Sequence, residues 1–204
     1  MKYNYILKKE ILLIFISIYY SCSQEFEKDS VRLVLTGSVH GQLDPCGWKK
    51  NPLGGLPRRY TKINEMRDNY ENLIVLDAGD MFYSTNKINK NNIKSEKHRS
   101  ATMLQAYNKI GYDGINIGNY ELLTGIKYLI DSQNKYPSLS FLSANIKNKS
   151  TNEFIFNPYK IVKRGSLNIG VIGVTNMVPD TMSTIRVDDY IKAGNDQINK
   201  IKDK

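Results

Sequence analysis

The sequence predicts an α/β domain, or the front part of one, behind an export leader. Three observations carry that reading: strand-like and helix-like patterns alternate as βαβαβα from residue 31 onward, the 204 residues suit one core, and the composition is that of a globular protein. With hydrophobic residues at 41%, aromatics at 10% and charged residues at 24%, a disordered, collagen-like or multi-span membrane chain is excluded. Lys and Arg number 29 against 20 acids, a net charge of +9. The cations are spread among many Asn and Ile and do not cluster on one element, so no nucleic-acid partner is expected.

Lys2, Lys8 and Lys9 precede the apolar run Ile11 to Ile18, after which Tyr19-Tyr20-Ser21-Cys22 leads into the polar stretch Ser23 to Ser30. A basic start and a short apolar run fit a cleaved export signal, because a membrane span needs ~20 apolar residues. The small Ser21 directly before Cys22 resembles the bacterial lipoprotein signal, in which the cysteine is lipidated and becomes the new amino terminus. The alternative is an ordinary signal peptide with an incidental Cys22. The expected organisation is 1–21 signal peptide, 22–30 polar tether and 31–204 domain, exported to the periplasm or cell surface with the lipid as its membrane contact. Cys46 is the one other cysteine, so with Cys22 lipidated no disulfide supports the fold.

Val31 to Thr36 is an aliphatic, β-branched run ending in Gly37 and reads as a buried strand. A Gly- and Pro-rich loop follows from Gly41 to Gly55. Leu56, Tyr60, Ile63, Met66 and Tyr70 recur at helical steps, with Pro57 tolerated in the first turn. Leu73 to Leu76 is the second strand, closing on Asp77-Ala78-Gly79-Asp80, and residues 84–99, polar and basic, are expected to form a solvated loop. Ala101, Leu104, Tyr107 and Ile110 give a second helix ended by Gly111, and Gly114 to Ile117 a third strand stopped by Gly118. Leu122, Leu123, Ile126, Leu129 and Ile130 make a third helix before Pro137. Leu139 to Ala144, Tyr159 to Val162 and Leu167 to Val174 are further strands, the last two joined as a hairpin at Arg164-Gly165-Ser166; the tail Tyr190 to Ile201 is weakly amphipathic.

In open α/β sheets the working residues lie just beyond the carboxyl ends of the strands. Three such ends carry polar residues: Ser38-Val39-His40-Gly41, Asp77-Ala78-Gly79-Asp80 and Gly118-Asn119-Tyr120-Glu121. A histidine, a carboxylate and an amide from successive strand ends each offer a lone pair, which points to a metal site. In extended backbone the side chains of Ser38 and His40 would share one face. Each residue also has an ordinary structural role: His40 in a polar loop, Asp80 at a turn or helix cap, and Asn119 as the N-cap of the next helix with Glu121 at its positive end.

Thr36-Gly37-Ser38-Val39-His40-Gly41, Leu76-Asp77-Ala78-Gly79-Asp80 and Gly118-Asn119-Tyr120-Glu121 resemble, in order and spacing, the first three motifs of the calcineurin-like dinuclear metallophosphoesterases, in the secreted 5′-nucleotidase-type branch. Leu43 to Gly47, Asn51 to Arg59, Ile110 to Asp113, Leu142 to Ile146 and Gly170 to Thr175 also look like that branch, so the resemblance covers nearly all of the chain beyond the leader. It implies the amino-terminal part of an α/β/β/α metallophosphoesterase sandwich, divalent metal ions (Mn, Mg or Zn) as cofactors, and a nucleotide or related phosphoester as substrate. The family motifs are Asp-x-His, Gly-Asp and Gly-Asn-His-Glu, followed by histidines from later strands. Carried over, His40 matches a ligand of one metal, Asp80 the bridging ligand and Asn119 a ligand of the other.

Two departures change the expectation. Ser38 stands at the position of the first ligand aspartate and replaces a charge with a neutral hydroxyl, which weakens binding of a hard cation. Tyr120 stands at the position of the catalytic histidine, and a phenol, ordinarily titrating near ~10, is poorly matched to proton transfer at neutral pH. The later histidines are missing: besides His40 the chain holds only His98, in the Lys-rich segment, and the domain reads as truncated at Lys204. The expected function is therefore a 5′-nucleotidase-type metallophosphoesterase with a depleted site, no intact catalytic residue, and weak metal binding and activity. A non-catalytic surface lipoprotein or the remnant of a frameshifted enzyme is the alternative, and a sulfate thiohydrolase relative the third. Cys46 reads as a loop residue, Gly54-Gly55 lacks the Lys-Ser/Thr of a phosphate loop, and Lys87, Lys90, Lys94, Lys97 and Arg99 read as a solvated basic stretch.

Overall fold

The computed structural model describes residues 30–47, 50, 52–180 and 182–203; the leader, Cys22 and Trp48 lie outside the described residues. Four parallel strands, β1 (Arg32–Thr36), β2 (Leu73–Asp77), β3 (Gly114–Asn116) and β4 (Phe141–Leu142), form a sheet in the order β1-β2-β3-β4. Right-handed crossovers are the rule for such a sheet. Here the crossovers are α1 (Leu56–Asn69), α2 (Ile93–Ile110), and a 3-10 turn (Tyr120–Leu122) followed by α3 (Ile126–Lys135). The register sets Thr36 opposite Asp77 and Asp77 opposite Ile115, so the carboxyl ends of β1, β2 and β3 finish level. That alignment creates the rim on which the three polar motifs meet.

Strands buried on both faces need apolar side chains throughout, and β2 is that kind of strand, with Leu73, Ile74 and Val75 all buried. On one face Val75, Ile115 and Phe141 pack with Leu104 and Ile110 of α2 and Leu129 of α3. Met81, Phe82 and Tyr83, directly after β2, are fully buried and anchor the rim from beneath. On the other face lies an antiparallel hairpin, β6 (Tyr159–Arg164) and β7 (Leu167–Ile172). Arg164 fixes it by donating Nε to Leu73 O at 2.8 Å and pairing with Asp113 at 2.6 Å. Side chains alternate along β7: a Cβ on Gly114 would lie 3.4 Å from Val171, whereas Gly170 faces Ile201 of α4 (Tyr190–Ile201). Helices, parallel sheet, hairpin and helix thus stack as α/β/β/α. A short antiparallel pair, β5 (Ile146–Asn148) with β8 (Ile185–Val187), completes the described residues. At the sheet edge Leu33 and Leu35 of β1 remain exposed, and no helix among the described residues is long and apolar enough to cross a membrane.

Several elements differ from expectation. The loop expected over 84–99 ends at Asn92, because α2 begins at Ile93. Its first turns bury polar groups: Glu96 accepts from Ser84 N and Oγ, each at 2.7 Å, and Ser100 bonds Tyr128 at 2.6 Å, so hydrophobic periodicity passes over them. His98 is therefore on an exposed helix face, and Arg99 is not a solvated loop cation but donates to Gly41 O at 2.9 Å. The third helix is broken at Gly125, whose φ of 91° separates the 3-10 turn from α3. The weakly amphipathic tail is a helix, started by Asp189, which accepts from Lys192 N at 2.6 Å.

Candidate metal centre

Beyond the sheet, the segments after β1 and β2 stay joined. Ala78 N donates to Thr36 O (2.7 Å), Ser38 N to Gly79 O (2.8 Å), His40 N to Asp80 O (2.9 Å) and Gly41 N to Met81 O (2.9 Å). The backbone here is not extended: Ser38, His40 and Asp80 have φ of 50°, 46° and 59°, so the side chains of Ser38 and His40 are placed by a left-handed loop and not by strand alternation. Left-handed non-glycine residues cost ~1–3 kcal/mol and persist where the surroundings over-determine them; such strain collects at functional sites. Three of the four such residues among those described fall on sequence-predicted site positions.

The third motif closes on the second. Tyr120 N donates to Asp80 Oδ1 at 2.8 Å. A Cβ on Gly118 would lie 2.5 Å from the same oxygen, and one on Gly79 2.7 Å from Gly118 N, so glycine is required at both positions for the loops to approach this closely. The His40 and Tyr120 rings lie 4.4 Å apart, tilted at 51°. Asn119 heads the 3-10 turn but makes no side-chain capping bond, so the structure does not use its amide as a cap. Asn119 Oδ1 and His40 Nδ1 are buried with no hydrogen-bond partner among the described residues. The structure thus brings His40, Asp80, Asn119 and Tyr120 together at one rim, with the side chain of Ser38 exposed beside them. His98 and Cys46 are both exposed, His98 on α2 and Cys46 in a backbone bridge with Leu53.

Two buried carboxylates support the rim, and sequence reasoning assigned neither to that task. Glu121, fully buried, accepts from Asp80 N (2.8 Å), Met81 N (2.6 Å) and Gly118 N (2.8 Å). Burial pushes its carboxyl up to about 7, against the downward pull of those donors. Asp77 accepts from Thr36 Oγ1 (2.5 Å), Tyr107 OH (2.8 Å) and Gly79 N (2.8 Å), and Arg59 donates to Tyr107 OH at 2.9 Å. Burial raises the carboxyl of Asp77 as well, while its hydrogen bonds lower it. The one signal in the sequence was an acid in an otherwise apolar local setting: Glu121 precedes Leu122 and Leu123, and Asp77 ends the run Leu73 to Leu76.

The donor set decides what the rim can hold. Orphaned nitrogen and amide oxygen beside a carboxylate suit one divalent cation, since each has a lone pair with no internal partner. Among the described residues no three His, Cys, Asp or Glu side chains converge as a metal-binding group.

No protein-family model matches the chain. A snake venom 5′-nucleotidase of Gloydius brevicauda is 34% identical over 135 residues, 64% of this chain and 22% of that protein. The Bos taurus 5′-nucleotidase is 29% identical over 182 residues, 82% of this chain and 30% of its own length. Among solved structures, a 5′-nucleotidase precursor from Thermus thermophilus aligns with a TM-score of 0.72 at 22% identity, over 84% of this chain and 34% of that one. A calcineurin-like phosphoesterase from Bacillus subtilis aligns at 0.64 and 22% identity, over 84% of this chain and 58% of that one. A sulfate thiohydrolase from Thermus thermophilus, at 0.68 and 15% identity over 83% and 41%, shares the fold alone. A parallel sheet whose strand ends gather three polar loops, with a hairpin stacked on one sheet face, is the fold shared with these solved phosphoesterases. The chain is related in sequence to the 5′-nucleotidases and shares its fold with the calcineurin-like phosphoesterase, and it covers the amino-terminal part of that domain. It spans 22% and 30% of the length of the Gloydius brevicauda and Bos taurus 5′-nucleotidases and 34% of the Thermus thermophilus one.

Proposed function

We propose that the chain is an exported 5′-nucleotidase-type phosphoesterase module, held at the membrane by lipid on Cys22, which engages nucleotide phosphoesters at the rim of His40, Asp80 and Asn119 and hydrolyses them slowly. In this reading residues 1–21 are the signal, 22–30 the tether and 31–204 the domain. Relatedness to 5′-nucleotidases supports the substrate class, and the orphaned His40 Nδ1 and Asn119 Oδ1 carry the site. One divalent ion, Mn²⁺, Mg²⁺ or Zn²⁺, held there would polarise a phosphoryl oxygen and acidify a bound water. The residues explain the slowness. Asp80 contributes the rim's ligand carboxylate, His40 and Asn119 are neutral donors, and Ser38 adds a hydroxyl where a second carboxylate would double the attracting charge. Tyr120 lies against His40 and offers a phenol in place of an imidazole.

Calorimetry with Mn²⁺ on the full chain in detergent tests the site. The expected result is weak binding at one site that Asp80→Asn abolishes and Ser38→Asp strengthens by ~10-fold, since Asp tolerates the left-handed backbone at 38 and adds a charge. Equal affinity in all three proteins would refute it.

A further inference from the structure

We infer that Glu121 is the positioning residue of this rim: its carboxylate clamps the Asp80 loop to the Asn119 turn and so holds the donor set in register. The inference rests on the metal reading above. Asp80 N and Met81 N belong to the two peptide groups that flank the Asp80 Cα, and both donate to Glu121, at 2.8 and 2.6 Å. With both peptide planes pinned to one carboxylate, the φ of 59° at Asp80 is fixed and the direction of its side chain with it. The third donor, Gly118 N at 2.8 Å, ties the same carboxylate to the segment that leaves β3. Asp80 Oδ1 returns the link by accepting from Tyr120 N at 2.8 Å, which closes a ring of hydrogen bonds around Asn119.

The residue type follows from the geometry. Three N–H groups converge on two oxygens, Oε2 taking two and Oε1 one, and a carboxylate is the side chain that accepts at both ends. An amide has one acceptor oxygen, so Gln in either orientation turns an NH₂ towards at least one of these N–H donors. Since its lone pairs are directed at backbone and its exposure is zero, Glu121 is not itself a candidate ligand. It acts through Asp80 and Asn119. Partners of this kind behind metal ligands typically contribute ~10–100-fold to metal affinity.

The test is Mn²⁺ affinity, read by the electron paramagnetic resonance of free and bound ion, for the full chain in detergent. Glu121→Gln is expected to weaken binding ~10–100-fold. Leu129→Ala, which opens a cavity in fully buried core on α3, is expected to lower stability while leaving affinity within about 2-fold. Affinity equally reduced in Leu129→Ala, or unchanged in Glu121→Gln, overturns the inference. Hydrogen exchange on the unaltered chain gives a reading that does not depend on folding of a variant: the amides of Asp80, Met81 and Gly118 should be protected, and exchange at solvent rates refutes the clamp. A wild-type chain that takes up no Mn²⁺ refutes the metal reading, and exchange of these three amides in wild type and Glu121→Gln then decides the clamp alone.

Discussion

Replacing Asp77 by Ala should destabilise the domain through the donors it leaves behind. The Asp77 side chain is buried and accepts one N–H and two hydroxyls, from Gly79, Thr36 and Tyr107. Each buried donor left unsatisfied costs ~1–3 kcal/mol. Relief from burying the carboxylate offsets part of this, and the hydroxyls can reorient, so the net loss is taken at the low end, about 3 kcal/mol. For a domain of this size 1 kcal/mol moves Tm by ~2–4 °C, so Tm should fall by about 6–12 °C. Asp77→Asn keeps an acceptor for the hydroxyls and loses the Gly79 N–H, so its loss should be about a third as large. The assay is thermal unfolding of the full chain by circular dichroism with chelator present. The pH dependence has a definite sign. Because burial raises the carboxyl of Asp77, its contribution to stability is greatest below the ordinary carboxylate range and declines as pH rises through the raised value. The deficit of Asp77→Asn should therefore shrink from acid to neutral pH. A change in Tm under ~1 °C for Asp77→Ala, or a deficit that grows with pH, would refute the reasoning.

Gly118→Ala should disturb the rim more than the core, since its Cβ would stand 2.5 Å from Asp80 Oδ1 and force the carboxylate aside; about 1–3 kcal/mol of destabilisation and loss of Mn²⁺ binding are expected, and unchanged calorimetry would show the loops are not so closely fitted. Cys22→Ala should move the chain from the membrane fraction to the soluble exported fraction, with mass spectrometry of the wild-type amino terminus showing a lipidated cysteine; an unmodified terminus elsewhere contradicts the anchor.

The legible parts of the sequence were those where one residue type has one physical use. β2 announces itself as an aliphatic run because an inner parallel strand is buried on both faces, whereas β1, read from the same pattern as buried, is an edge strand with Leu33 and Leu35 exposed; strand ends point to His40, Asp80 and Asn119 because the sheet's register aligns them. The start of α2 was not legible, since Glu96 and Ser100 on its inner side bond Ser84 and Tyr128 and leave no apolar period to detect. β5 and β8 escaped because strands of three residues carry too little pattern. The left-handed backbone at Ser38, His40 and Asp80 and the clamp at Glu121 depend on contacts across some 40 residues, which no local reading contains.

Phosphate release from AMP by the full chain with Mn²⁺ tests the central claim most directly. Typical enzymes turn over near ~10 s⁻¹. Loss of general acid–base help costs ~10²–10⁴, so turnover below about 0.1 s⁻¹ is predicted, with Tyr120→His alone restoring little because the charge missing at Ser38 stays missing. Turnover near ~10 s⁻¹ that Asp80→Asn abolishes would contradict the account and make this rim a competent catalytic site as it stands.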